Sequence, residues 1–171
     1  MTDDAERCRK EGEEKIGSGD YSGAIQSLKK ALELNPKIAG VYTDLGIASD
    51  SSGDVDSAIE YFKKEVELVP CPPSYDNLGK ATRKKYGDNA AAKVYEDAYN
   101  ELTRRGCVFT VPTEYNIFYG MSCECGKRYT RKDFKGQSLI EDSVTKKQYD
   151  VFKIKCSVCS RERELKFRVR T

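Results

Sequence analysis

The residues best placed to do chemistry are four cysteines in two close pairs. Cys123-x-Cys125-Gly126 forms the first pair and Cys156-x2-Cys159 the second, with 30 residues separating Cys125 from Cys156. A thiolate is both a nucleophile and a soft metal ligand, and two pairs brought together would cross-link distant parts of the chain. The sequence holds seven cysteines and no histidine, so an all-cysteine ligand set is the ordinary one available. The chain opens Met1-Thr2-Asp3-Asp4, without a basic region followed by an apolar stretch, which speaks against a secretory signal. Cysteine-rich sequence without such a signal points to a reducing compartment, the cytoplasm. Thiolate–metal chemistry is therefore favoured there, with disulfides or free thiols as the alternative.

The elements that must position these cysteines read as strands. Phe152-Lys-Ile154-Lys-Cys156 and Leu165-Lys-Phe167-Arg-Val169-Arg alternate with period two on either side of the second pair. Upstream, Val108, Phe109, Val111, Tyr115, Ile117, Phe118 and Tyr119 are β-branched or aromatic, which also favours β structure. Residues 106–171 thus read as a small antiparallel β module, too short for a comfortable core without a staple. Paired cysteines at strand turns resemble a zinc ribbon. That resemblance implies that Cys123, Cys125, Cys156 and Cys159 hold a structural Zn2+ in a closed tetrahedral site, with no position left for a substrate. Such binding contributes about 10 kcal/mol or more to folding. The first pair departs from the pattern, with one residue between its cysteines where two are usual, which makes Cys107 a substitute ligand. Cys8 and Cys71 read as small apolar fillers.

The first two thirds of the chain repeat. Gly12 and Gly46, Asp20 and Asp54, Ala24 and Ala58, and Pro36 and Pro70 are each 34 residues apart. Gly79, Asp88, Ala91 and Tyr95 continue the series at a spacing near 33. Within every copy the Gly-to-Ala distance is 12. Helical patterns are predicted over 4–17 and 21–34, 38–52 and 55–68, and 74–86 and 88–105, each pair joined by a short Gly-Asp turn. A mid-helix glycine costs about 1 kcal/mol relative to alanine, tolerable where a partner helix approaches closely. Ala24, Ala58 and Ala91 are then the small residues on the facing surface, and the large residues four positions later fill the space between pairs. Period and residue order resemble the tetratricopeptide repeat (TPR) family over residues 4–105. The resemblance implies an α solenoid of three helix pairs in a right-handed superhelix (repeats 5–38, 39–71 and 72–105), followed by the zinc-stapled β module at 106–171. Charge supports a boundary near Gly106: residues 1–106 carry 16 Lys+Arg against 20 Asp+Glu, and 107–171 carry 14 against 8. An exposed last repeat needs a cover, and Val108–Val111 is expected to dock on it.

In that family the first helix of each pair lines a concave groove for extended peptides. Here the resemblance places Arg9, Thr43, Ile47, Lys80, Arg83 and Lys84 on it, mixed in charge at the start and basic at the end. Capture of an acidic peptide or C-terminal carboxylate is one reading, and a plain solvated helix face is the other. A clamp for chaperone tails in that family wants Lys, Asn, Asn, Lys and Arg where this chain has Arg9, Glu13, Asp44, Pro73 and Asn77, and only Arg9 keeps the needed charge, so that partner is disfavoured. In the β module Lys127, Arg128, Arg131 and Lys132, with Lys166, Arg168 and Arg170 on one face of the last strand, could contact RNA or DNA. The same alternation suits any exposed edge strand. No phosphate loop and no nucleophile with a base partner is present, which speaks against an enzyme, and no apolar run is long enough to span a bilayer. The sequence reads as a non-catalytic protein-interaction adaptor, with a nucleic-acid-associated factor as the alternative.

Overall fold

The computed structural model describes residues 2–38, 40–105, 117–118 and 120–169. They divide into two compact units, Met1–Pro70 and Cys71–Thr171. The boundary expected near Gly106, Cys107 as a ligand, the docking of Val108–Val111, and Arg170 all fall outside the described residues.

The first unit holds α1 (Thr2–Ser18), α2 (Tyr21–Leu34), α3 (Val41–Ser51) and α4 (Val55–Leu68). The helix limits follow from caps. Asp20 accepts a hydrogen bond from Gly23 N–H at 2.9 Å, and Asp54 accepts one from Ser57 N–H at 3.1 Å. Each thereby satisfies a donor that the helix start leaves orphaned. The preceding helices close with Asp20 N–H on the Lys15 carbonyl and Asp54 N–H on the Ser49 carbonyl, both at 2.9 Å, a wrap-around C-cap. α1 packs on α2, α3 on α4 and α2 on α3. The core joins Ala5, Cys8, Leu28, Ala31, Ile38, Val41 and Leu45, and Cys8 is indeed a buried filler.

The repeated glycines explain the pair geometry. A Cβ on Gly12 would lie 2.6 Å from Leu28, and one on Gly46 would lie 2.3 Å from the Phe62 ring. The large residue of each copy therefore seats on the glycine of its own pair. Leu28 also joins the core cluster with Val41 and Leu45 of the next pair, so it fills space between pairs as well. Ala24 and Ala58 are fully buried.

The second unit holds α5 (Pro72–Tyr86), α6 (Asp88–Arg104), and an antiparallel sheet of β1 (Phe134–Glu141), β2 (Gln148–Lys155) and β3 (Glu162–Arg168) in the order β1-β2-β3. Phe134 pairs with Ile154, Phe152 with Leu165 and Asp150 with Phe167, with a bulge after Phe134. The inner face is an aromatic chain. Phe118, Phe134, Phe152 and Phe167 make edge contacts at 5.2–6.1 Å, and Tyr129 stacks on Phe118 at 5.7 Å. Ile117 and Phe118, expected as β structure, are helical, with Met121 N–H bonded to the Ile117 carbonyl. One turn buries Ile117, Phe118 and Met121 together, a tertiary gain that overrides strand propensity.

α6 carries the sheet. The Tyr99 ring meets Phe167 edge-on at 5.4 Å and its hydroxyl accepts from Lys166 N–H at 2.9 Å. Arg163 grips Glu96 with two bonds of 2.8 and 2.5 Å. Tyr95 lies between two glycines, since a Cβ on Gly79 or on Gly120 would sit 2.6 or 2.2 Å from its ring. Among the described residues, no helix is long and apolar enough to cross a membrane.

Candidate metal centre and binding surfaces

Each cysteine pair sits on a tight turn that the backbone closes. Residues 121–129 form a small hairpin with Ser122 bridged to Arg128. Within it Cys123 N–H donates to the Lys127 carbonyl and Gly126 N–H to the Cys123 carbonyl, both at 2.8 Å. The second turn links β2 to β3: Cys156 N–H donates to the Arg161 carbonyl and Ser160 N–H to the Cys156 carbonyl, both at 2.9 Å. The left-handed residue that lets each turn return is Gly126 (φ +84°) in the first and Ser160 (φ +59°) in the second. The residue missing from the first pair is absorbed here, because its turn closes four residues on from the first cysteine and the other closes five.

The four sulfurs meet. All lie within 4.8 Å of one another, with Cys123 to Cys159 at 3.5 Å and Cys125 to Cys156 at 3.6 Å. Sulfurs at the corners of a tetrahedral site with bonds of about 2.3 Å stand roughly 3.8 Å apart, and a disulfide needs about 2.05 Å. The spacing suits metal ligands, and all four cysteines are free. Backbone N–H groups of Cys159 and Val158 pull the Cys156 thiol down to about 6. Cys159 goes the other way. The Arg161 N–H favours its thiolate, but the Cys123 thiol and burial push it up to about 11. Four thiolates this close repel unless a cation lies among them. The arrangement can bind a metal.

Two residues that the sequence reading did not assign to the centre support it. The Tyr129 phenol is pushed up to about 12, by burial first and then by the Cys123 sulfur. Asp133, fully buried, accepts from Lys127 Nζ at 2.5 Å, from Thr130 N–H and Oγ1 at 2.8 and 2.7 Å, and from Ser157 N–H at 2.7 Å. Burial alone would raise its pKa, but these four donors hold it well below the usual carboxylate range. A Lys-x5-Asp or Cys-x5-Tyr spacing carries no such signal, and only the fold brings these donors together.

The basic residues read as a nucleic-acid surface divide. Lys127 is engaged by Asp133, and Arg128 reaches Asp88 on α6 at 3.2 Å. Arg131, Lys132 and Lys166 are exposed, and Arg168 is half-buried. The peptide-groove residues divide too. In the first unit Arg9 bonds Asp44 at 3.0 Å and Glu13 at 2.7 Å, Thr43 bonds the buried Glu65, and Ile47 is 38% exposed. In the second unit Lys80 pairs with Asp76 at 2.6 Å, and Arg83 lies over the Tyr95 ring and 2.9 Å from Asp88. Lys84 is exposed.

Two family profiles match, one described as TPR repeat over residues 12–49 and one as tetratricopeptide repeat over residues 39–68. Residues 12–68 carry tetratricopeptide repeats. Solved structures agree on the fold of these repeats. MamA is 28% identical with a TM-score of 0.55, the match covering 62% of this chain and 63% of that one. This chain thus spans less than two thirds of MamA's length. The Sgt2 TPR domain from Aspergillus fumigatus is 20% identical with a TM-score of 0.54, covering 66% of this chain and 74% of that one. The TPR2B domain of yeast Sti1, solved in a complex with pHsp70, is 19% identical with a TM-score of 0.57, covering 68% and 94%. No curated protein matches the chain.

Proposed function

We propose that this protein is a non-catalytic interaction adaptor whose tetratricopeptide repeats bind an extended peptide and whose four clustered cysteines hold a structural Zn2+. The observation that carries the reading is the repeat itself: among the described residues the glycine–large-residue seat recurs in three helix pairs, and residues 12–68, the first two pairs, match two family profiles. Cys123, Cys125, Cys156 and Cys159 would be the zinc ligands. Bound there, zinc supplies charge neutralisation and a cross-link, and no open coordination position. Free thiols throughout the described chain fit a reducing compartment such as the cytoplasm.

The peptide surfaces belong to first helices: Arg9, Thr43 and Ile47 in the first unit, and Lys80, Arg83 and Lys84 on α5. An acidic peptide would compete with Glu13 for Arg9 and with Asp76 for Lys80, so its affinity should fall with salt. Displayed random peptides selected on the zinc-loaded chain test this. A selected acidic peptide that loses ten-fold or more in affinity with Lys80→Glu/Lys84→Glu, or an apolar one that does so with Ile47→Asp, supports the reading. Affinities that none of these changes move would sink it. The alternative, contact with RNA or DNA through the β module, rests on the exposed Arg131, Lys132 and Lys166. Engagement of Lys127 and Arg128 by acids makes it the weaker reading. Salt-dependent RNA binding lost with Arg131→Glu/Lys132→Glu, in a chain that selects no peptide, would reverse that order.

A further inference from the structure

We infer that Asp133 is a positioning residue for the cysteine centre, holding the two cysteine pairs in register from outside the ligand set. The inference rests on the metal reading above. Asp133 belongs to neither pair, yet its bonds reach both. Oδ2 accepts from Lys127 Nζ, two residues past Cys125, and from both the N–H and the hydroxyl of Thr130. Oδ1 accepts from the N–H of Ser157, the residue after Cys156, at 2.7 Å. The backbone adds a third tie, since the Asp133 carbonyl accepts from Lys155 N–H at 2.8 Å. Cys156 is thus gripped on both flanks by one residue whose other carboxylate oxygen holds the chain leaving Cys125.

The chemistry demands a carboxylate. Four donors converge on two oxygens in a site with no exposure, and only an acceptor-only group meets them all. An asparagine would turn an NH2 toward at least one of these donors. A buried, half-satisfied network then yields, and the turn it anchors is released. Because the carboxylate's partners lie on the two cysteine turns, that release moves one sulfur pair relative to the other. The ligands themselves stay unchanged. Outer-shell groups of this kind typically account for 10- to 100-fold in metal affinity.

Zinc affinity of the full chain, measured by competition with a chromophoric chelator, tests the assignment, and the spectrum of the Co2+ form reports the ligand set. Asp133→Asn is expected to bind zinc about 10- to 100-fold more weakly while keeping the tetrahedral tetrathiolate Co2+ spectrum. Lys127→Met, which removes one donor of four, should lose less, about three- to ten-fold. Asp142→Asn is the control: it removes a carboxylate bonded to Val144 and Thr145 at the far tip of the β1–β2 hairpin. An Asp133→Asn affinity within two-fold of wild type, or an equal loss in Asp142→Asn, overturns the inference. Should Asp133→Asn not fold even in excess zinc, Lys127→Met decides by the same criterion. A wild-type chain that takes up no zinc overturns the metal reading itself, an outcome distinct from equal binding by wild type and variant.

Discussion

In the second helix pair the space over Gly46 is filled by the Phe62 ring, an apolar seat that closes the pair on itself. In the third pair the space over Gly79 is filled by Tyr95, whose hydroxyl donates to Asp76 at 2.9 Å and whose ring also lies under Gly120. The position in the repeat is the same. One ring completes a repeat, and the other completes a repeat and receives a different module. α6 continues the theme with Glu96 and Tyr99, both turned to β3. A helix pair becomes a docking platform by a few polar and aromatic substitutions on its second helix, with its internal seat unaltered.

The strongest way to break the comparison is to chelate the Zn2+ proposed for the cysteine centre. If zinc is held there, its removal should cost the second unit about 10 kcal/mol or more of folding energy, and Cys156→Ser, which takes one ligand of four, should cost less. Hydrogen exchange should then show protection lost over 121–169 and kept over 21–68. Simultaneous loss in both regions would contradict the separation of the two units. Next comes Phe62→Ala, expected to destabilise the first unit by about 3–5 kcal/mol and to leave zinc affinity unchanged. Gly46→Ala should cost about 1–3 kcal/mol by overpacking against Phe62, read from denaturant midpoints. Glu96→Gln removes one half of a fork that is only partly shielded, with both side chains 32% exposed. About 1 kcal/mol is expected, with faster exchange at Lys166 than at residues of the first unit. The smallest effect has the opposite sign. Gly17 lies in the last turn of α1 with nothing near its missing Cβ, so Gly17→Ala should stabilise by about 0.5–1 kcal/mol. If Gly46→Ala and Gly17→Ala shift the midpoint in the same direction, the seat at Phe62 is not what the repeated glycine is for.

The helices were legible because their cues are local. A Gly-Asp turn caps with Asp20 or Asp54 whatever lies beyond it, and the spacing of Gly46 to Phe62 recurs in every copy. The cysteine pairs were legible by residue type alone. What the sequence hid depends on partners distant along the chain. Strand β1 carries Gly136, Gln137 and Ser138 and is largely exposed, so it has no alternating signature and exists by pairing with β2. Lys127 and Arg128 read as free cations because Asp133 and Asp88, their partners, are 6 and 40 residues away. Asp133 itself looks like any loop aspartate until Ser157 is folded against it.

The specialised α6 also limits how a chain of this kind can grow. A duplicated stretch of 34 residues inserted ahead of Cys71 would leave Tyr95, Glu96 and Tyr99 beside Gly120, Arg163 and Phe167. The same duplication inserted after Arg104 would present the sheet with a copy whose separate divergence must preserve all three. Lengthening by tandem gene duplication is therefore open upstream and closed at the junction, so longer and shorter relatives should differ in how many repeats precede α5 and agree in the helix that meets the sheet.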